Sequence, residues 1–476
     1  MSATLTLPKE TQAKEITRIF ELQKANQFNV GNTNATQRIA KLKKLHEAIL
    51  RYRPQIKEAL YNDFRKHPSE VDLTEIYPIT SEIKHIKSNL RSWMKNQKVS
   101  TPISMIGSSS YIKYEPKGVV LITSPWNFPF NLTFVPLVSA IAAGNCVILK
   151  PSENTPHASA LMKKIIEEIF DENEVALVEG GIQTSQSLMT HPFNHIFFTG
   201  APHIGKIVME AASKHLTSVT LELGGKSPTI IDETANIDTA ARRIAWGKFI
   251  NNGQVCIAPD YVFVHEKQKD AFIAGVKKYT QQFYTENAAT EPSYSRIVNH
   301  RHFERVKSYV EDALDKGATI EAGGNFDDNQ DYISPTIMTN VPKNSTLMTE
   351  EIFGPVLPIH TFSNIQAVID EVNSREKPLA LYIYSSSNKN IEKIINNTRA
   401  GGTCINHNAI HFFNSNLPFG GSNNSGIGKA HGWFGFQAFS NARGVLKQHI
   451  PNALERLMPP YDDFKQKLID LTIKWF

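Results

Sequence analysis

The sequence predicts an α/β protein made of two alternating strand–helix units and a small β appendage. Three observations carry that prediction. From Gly118 onward, short apolar runs of strand length alternate with segments of helical period, which means parallel strands joined by crossovers. A second alternating series occupies about residues 225–432. Between the helical start and the first series, Val99 to Pro116 is rich in Ser, Gly and β-formers and leaves the pattern, as a protruding hairpin would.

Composition bounds the class. The chain has 476 residues, enough for about three domain-sized units. Hydrophobic residues are 41% and charged residues 20%, which excludes disordered and fibrous classes. Lys plus Arg is 51 against 46 for Asp plus Glu, a net +5 without a run of like charges, so no nucleic-acid partner is expected. The three cysteines, Cys146, Cys256 and Cys404, include no CxxC pair; this argues against a disulfide framework or a zinc ribbon and suits a reducing, cytoplasmic compartment. Met1 to Glu10 has no basic stretch followed by an apolar core, so no secretory leader is expected there.

Taken in order, the first hundred residues read as helical. Ile39, Leu42, Leu45, Ile49, Ile56 and Leu60 recur mostly at helix spacing over about Thr36–Phe64, with a solvated basic face. His67-Pro68-Ser69 breaks that helix, and Ser69 with Asp72 resembles a capping box opening the next, which runs to about Lys95. Gly118 to Leu149 carries no charge and is long enough to cover a bilayer. Pro125, Pro129 and Pro136 interrupt it, and Asn127, Asn131 and Asn145 would need partners in lipid, so it reads as strand, turn, helix and strand. Strands are expected at Gly118–Ser124, Cys146–Lys150, Ala176–Val178, His195–Thr199 and Thr217–Glu222, with helices over Ala158–Phe170 and Ile204–Lys214. In the second series they fall at Asp260–Val264, Ile359–Phe362 and Gly402–Asn406. The tail beyond Pro459-Pro460 places Phe464, Leu468, Leu471 and Trp475 on one helical face, too short and too charged to span a membrane.

Four local signals bear on chemistry. Cys256, in Gly253-Gln254-Val255-Cys256-Ile257-Ala258-Pro259, sits on a loop where a thiol can be exposed to a cleft and activated, although a lone cysteine is usually a small buried hydrophobe. Glu222 stands at a strand end beside Gly224 and Gly225, where a carboxylate can act as a base and the glycines admit another group closely. Asn127, in the Pro-bracketed turn Ser124-Pro125-Trp126-Asn127-Phe128-Pro129, can aim its amide at developing negative charge. Phe197-Phe198-Thr199-Gly200 followed by a helix start around Gly205 can hold a phosphate, though no GxGxxG is present. His407 and His411 have no third ligand at useful spacing, so no metal site is expected.

Together these segments resemble the aldehyde dehydrogenase superfamily, from about residue 20 to about residue 450. The motifs run in the family's order: SPWNFPF at 124–130, LKPSE at 149–153, FFTG at 197–200, LELGGKSP at 221–228, GQVCIAPD at 253–260, EIFGPVLP at 351–358 and LPFGGSNNSGIG at 417–428. The sequence is most similar to the dimeric class of fatty- and aromatic-aldehyde enzymes. That resemblance implies a Rossmann-like NAD-binding domain over 1–98 and 117–223, and an α/β catalytic domain over 224–433. It further implies a bridging, oligomerising β element from 99–116 and 434–450, with a helical tail over 451–476. It implies Cys256 as nucleophile, Glu222 as the base that activates water, and Asn127 as an oxyanion donor. Lys150 and Glu153 would meet the adenine ribose and favour NAD, with NADP accepted. Glu351 would hold the nicotinamide ribose, with Phe353 and Trp126 near the ring and Gly200, Gly205 and Gly224 along the cofactor. Ile410, Phe412, Phe413 and Phe128 are apolar, and some of them are expected to line the substrate entry; the partner is a second copy in a homodimer.

Two departures stand out. Ala201-Pro202 follows Gly200, and Pro donates no backbone N–H to a pyrophosphate. Phe128 occupies a place where this class often has Tyr. Two alternatives to hydrolytic oxidation are a CoA-acylating relative, in which a thiol resolves the thioester, and a non-catalytic binding or structural member; the retained Cys256 and Glu222 argue against both.

Overall fold

The computed structural model describes residues 9–451 and 453–475; residues 1–8, most of the stretch read for a leader, lie outside the described residues. The apolar segments after Gly118 pair into a six-stranded sheet. Its five parallel strands are Val119–Thr123, Cys146–Lys150, Val175–Leu177, His195–Gly200 and Ser218–Leu223. In space Val119–Thr123 lies between Cys146–Lys150 and His195–Gly200, so the strand order reverses there. In an open parallel sheet, ligands bind outside the carboxyl ends at such a reversal. The short strand Gly426–Ile427 closes this edge antiparallel to Leu221 and Glu222.

The charge-free stretch forms strand, buried helix and strand, as its prolines and asparagines require. Every residue of the helix Pro129–Ala143 except Leu132 is buried. The second series forms a seven-stranded sheet around Tyr261–His265, Pro228–Ile231 and Ala380–Tyr384, completely buried strands in a core of their own. Only residues 224–227 link the end of Ser218–Leu223 to the start of Pro228–Ile231. The carboxyl edge of the first sheet therefore faces the amino edge of the second. The hairpin segment and the strand Ser440–Gln448 form a separate three-stranded antiparallel sheet, in which Ser108–Pro116 is central.

The helical start departs from the sequence reading in two places. The Thr36–Phe64 pattern is two helices, Ala35–Arg51 and Arg53–Phe64, because Pro54 is favourable only in the first turn of a helix. The cap of the next helix is His67, whose Nδ1 accepts the Ser69 N–H at 3.1 Å; Ser69 lies inside it. Asp72 instead pairs with Arg53 and Lys57 and opens a π-helical turn, Asp72–Ile76, before the helix Tyr77–Trp93. Among the described residues no helix is long and apolar enough to cross a membrane.

Gly144 locks the first unit together. It ends the helix Pro129–Ala143 in the left-handed region (φ 91°), and the guanidinium of Arg38 occupies the space a Cβ would fill. Arg38 is buried and donates to Ala142 O (2.9 Å), Gly31 O (2.8 Å) and Thr33 Oγ1 (3.1 Å). Gly144→Ala is expected to cost at least about 1–2 kcal/mol from the backbone alone. A drop of several degrees in Tm is the expected reading, and an unchanged melting curve would contradict this packing.

Candidate active site

A cleft of about 1030 Å³ opens between the facing sheet edges. Cys256, Glu222, Asn127, Gly200, Gly224, Glu351, Phe353 and Trp126 all line it. Residues far apart in the chain meet there because the 224–227 link brings the two edges together.

Cys256 follows a strained turn. Asn251 and Asn252 adopt left-handed backbone (φ 50° and 57°), and Gly253 (φ 71°) lies so close to Gly354 O that a Cβ would collide with it. Such strain persists where surrounding bonds over-determine it. Here the fully buried Gln254 supplies them: its Nε2 donates to Asn251 O (2.9 Å) and Arg296 O (3.0 Å), and its Oε1 accepts the Val298 N–H (3.0 Å). The Asn127 amide donates to Gln254 O at 3.0 Å, which ties the turn after Val119–Thr123 to the thiol loop and leaves the second amide hydrogen free of that bond. Burial pushes the half-buried Cys256 thiol up to about 12, with the Glu351 and Glu222 carboxylates adding to it.

Glu222 is buried near the end of Ser218–Leu223, and neither carboxylate oxygen has a hydrogen-bond partner in the structure. Burial raises its pKa well above the usual carboxylate value; the Lys429 ammonium opposes this. Lys429 is held by the carbonyls of Gly420, Gly421 (3.0 Å) and Gly401 (3.4 Å). Glu351 is half-buried, and desolvation of its carboxyl raises its pKa to about 8, with Asp260 adding. Its carboxylate occupies the space a Cβ on Gly224 would need, which is why that position takes Gly.

Phe353 has φ 44° and meets Trp126 edge to face at 5.3 Å; Trp126 in turn lies 4.9 Å from the His302 ring. Arg305 clamps this segment by donating to Ile352 O (2.9 Å) and Phe353 O (3.2 Å). His302, Arg305, Gln254 and Asn251 were not singled out in the sequence. The one signal for the first pair was their i, i+3 spacing on the helix His300–Asp315, which does not say what that face meets.

Other anticipated residues fall elsewhere. Lys150 ends its strand in an ion pair with Glu153 (3.1 Å), and neither lines the cleft. Gly205 is a packing position: a Cβ there would stand 2.8 Å from Leu223 Cδ2. Of the expected substrate-entry residues, Phe412 lines the cleft beside Phe419, Leu132, Val135 and Pro136, whereas Ile410, Phe413 and Phe128 do not. Phe413 turns to Tyr77 at 5.9 Å, Ile410 is exposed, and Phe128 lies against the Lys66 ammonium at 4.3 Å. Pro202 is at the first position of the helix Pro202–Ser213, where its missing N–H would have had no intrahelical partner. His203 from that first turn and Lys206 just beyond it line the cleft. Cys146 is fully buried and Cys404 half-buried, as small apolar side chains. Among the described residues no group of three or more His, Cys, Asp or Glu is placed to hold a metal ion.

A strand-order reversal whose carboxyl ends face a buried acid and a thiol makes this an α/β protein with a ligand cleft at the switch point of its sheet. A profile of the aldehyde dehydrogenase family matches residues 2–445. The 4,4'-diaponeurosporen-aldehyde dehydrogenase of Staphylococcus aureus is 44% identical over 434 residues, covering 90% of this chain and 94% of the relative. Aldehyde dehydrogenase family 3 member A2 of Rattus norvegicus is 42% identical, covering 86% and 84%. The substrate-bound structure of Staphylococcus aureus AldH superposes with a TM-score of 0.92 at 42% identity, covering 96% of this chain and 99% of that one. The chain belongs to the aldehyde dehydrogenase family, whose members oxidise aldehydes with NAD(P).

The thiol's raised pKa makes a prediction about the free protein. Only the thiolate alkylates readily. Labelling of Cys256 by iodoacetamide, followed on its own peptide by mass spectrometry, should therefore rise about tenfold per pH unit from pH 7 to pH 10 without levelling. A plateau near pH 8 would contradict the buried environment described.

Proposed function

We propose that this protein oxidises an apolar aldehyde to the carboxylic acid with NAD, accepting NADP, through a thiohemiacetal and then a thioester on Cys256. The observation that carries this reading is the meeting of one thiol, one partnerless buried carboxylate and one anchored amide in a single cleft.

The cleft fits the cofactor. Gly224 leaves room for Glu351 beside the strand end, and the amino end of the helix Pro202–Ser213 offers Lys206 and the positive end of its dipole to phosphates. Glu351 would hold the nicotinamide ribose, and Glu153, bridged to Lys150, the adenine ribose, where a carboxylate favours a free hydroxyl over a phosphate. When bound, the nicotinamide ring accepts the adduct's hydride and brings positive charge to a pocket whose burial and carboxylates hold the thiol protonated.

The chain's own groups supply the rest. The Cys256 thiolate attacks the carbonyl carbon, and the second Asn127 amide hydrogen with the Cys256 backbone N–H holds the oxyanion. Losing one such donor typically costs about 100- to 1000-fold in rate. Loss of hydride from the tetrahedral adduct re-forms the C=O bond as a thioester. Glu222, raised by burial, takes a proton from water as the water oxygen bonds to the acyl carbon, and the thiolate leaves. The Phe412, Phe419, Leu132 and Val135 wall selects aldehydes with apolar bodies over charged ones.

The active form is a homodimer. Ser440–Gln448 is a nine-residue edge strand of the outlying sheet with one side unpaired, an arrangement that invites pairing with another chain. The helix Asp463–Trp475 has no buried residue, and Phe464 and Trp475 are both exposed, consistent with a tail that lies over the partner's substrate entry.

Glu222→Gln keeps the side chain's size but cannot accept the water's proton. The expected record is a pre-steady-state burst of NADH followed by a steady state slowed at least about 100-fold. Equal loss in both phases would place the base elsewhere. Sedimentation equilibrium should give twice the 53.4 kDa chain mass, and a monomer at working concentration would contradict the edge-strand reading.

A further inference from the structure

Behind the Asn127 turn lies a buried ion pair that the proposed chemistry does not use. Lys66 and Glu75 are both fully buried and stand 2.9 Å apart. The Lys66 ammonium also donates to the Asn127 carbonyl at 3.1 Å and lies over the Phe128 ring at 4.3 Å and the Phe64 ring at 4.7 Å. Glu75 uses its other oxygen to accept the Asn131 N–H (3.0 Å) in the first turn of the helix Pro129–Ala143. It is presented by the π-helical turn Asp72–Ile76, a wide turn of a kind that recurs at functional sites. The same turn accepts the Asn131 side-chain amide at Thr74 O (2.9 Å).

A buried ion pair adds little net stability, since an apolar pair of similar volume often does as well. What this one supplies is direction. The Asn127 carbonyl accepts two donors, Lys66 (3.1 Å) and the Asn251 amide (3.0 Å), while the Asn127 side-chain amide donates to Gln254 O (3.0 Å). The Asn251 amide also donates to Gln254 O (3.1 Å), so the Asn127 carbonyl and side chain are both tied to the thiol loop, and Lys66 is the one donor to the carbonyl that comes from outside that loop. With Lys66 gone, the Asn127 turn loses its one charged donor and Glu75 its counter-charge. Glu70, whose Oε1 accepts the Asn251 N–H at 3.0 Å, is the other acid that faces Lys66.

We propose that Lys66, oriented by Glu75, is a positioning residue for Asn127: it captures the Asn127 carbonyl and so fixes the direction in which the Asn127 amide meets the oxyanion at Cys256. This rests on the reading of Asn127 as an oxyanion donor.

The test is a double-mutant cycle on the full-length protein, read as the single-turnover rate of NADH formation per titrated active site, with NAD binding and Tm measured alongside. Lys66→Met should slow NADH formation by about 10- to 100-fold, the scale of a misplaced catalytic group, with the NAD dissociation constant unchanged. Lys66→Arg, which keeps charge and donors, should recover most of the rate. In an Asn127→Ala background, Lys66→Met should cause no further loss. An equal loss in both backgrounds, or no loss in the first, overturns the proposal. If Asn127→Ala itself leaves the rate unchanged, the oxyanion reading fails instead. Should Lys66→Met fail to fold, Glu75→Gln is run through the same cycle, where a smaller loss that vanishes with Asn127→Ala supports the proposal and an unchanged rate overturns it.

Discussion

Four residues, 224 to 227, join the carboxyl edge of one parallel sheet to the amino edge of the other. A link that short leaves no freedom for the edges to face elsewhere. Glu222 and Gly224 are delivered at its start, Lys226 reaches across to Asp260 (2.5 Å) near its end, and the loop carrying Cys256 precedes Tyr261–His265 beside Pro228–Ile231. The opposing wall is the turn after Val119–Thr123, where the strand order reverses. The cleft is a consequence of topology before it is a consequence of any side chain.

Inside that cleft, burial sets the electrostatics. Glu222, Glu351 and the Cys256 thiol are all pushed toward their neutral forms, and each carboxylate further raises the thiol. Low dielectric makes a charge brought among them count for more than it would in water. Clusters of strongly shifted groups in a cleft are typical of sites that do acid–base chemistry. The left-handed backbone at Asn251, Asn252 and Phe353 lies at the same place, and the Gln254, Arg305 and Asn127 hydrogen bonds hold it there. The strain is local and the bonds that sustain it come from distant segments.

Legibility in the sequence followed the range of the interactions. The strands from Val119 to Leu223 are readable because each is a short, mostly apolar run of strand length followed by a turn. The break at Tyr52–Pro54 was not, because the apolar period continues through it and only the proline marks the turn. The His67 cap was missed because an imidazole nitrogen can serve as the acceptor usually supplied by Ser or Asp. Which of the apolar candidates faces the cleft is not legible for a longer-range reason: the Phe128 ring meets Lys66, some sixty positions earlier, and no spacing rule connects the two.

The sequence by itself determined the α/β class, the two alternating series with their outlying β segment, and, through seven ordered motifs, the family; it also named Cys256, Glu222, Asn127 and Glu351 as candidates, and these four line one cleft. These depend on local period and on the identity of residues in short segments. Tertiary structure alone decided that Gly205 packs on Leu223 instead of lining the cleft, that Phe412 and not Phe413 faces the site, and that Arg305 clamps the Phe353 turn. It also decided that Glu222 has no partner while Glu75 has two. Whether a side chain is buried, and against what, depends on chain segments hundreds of residues apart that meet only when the two sheets pack.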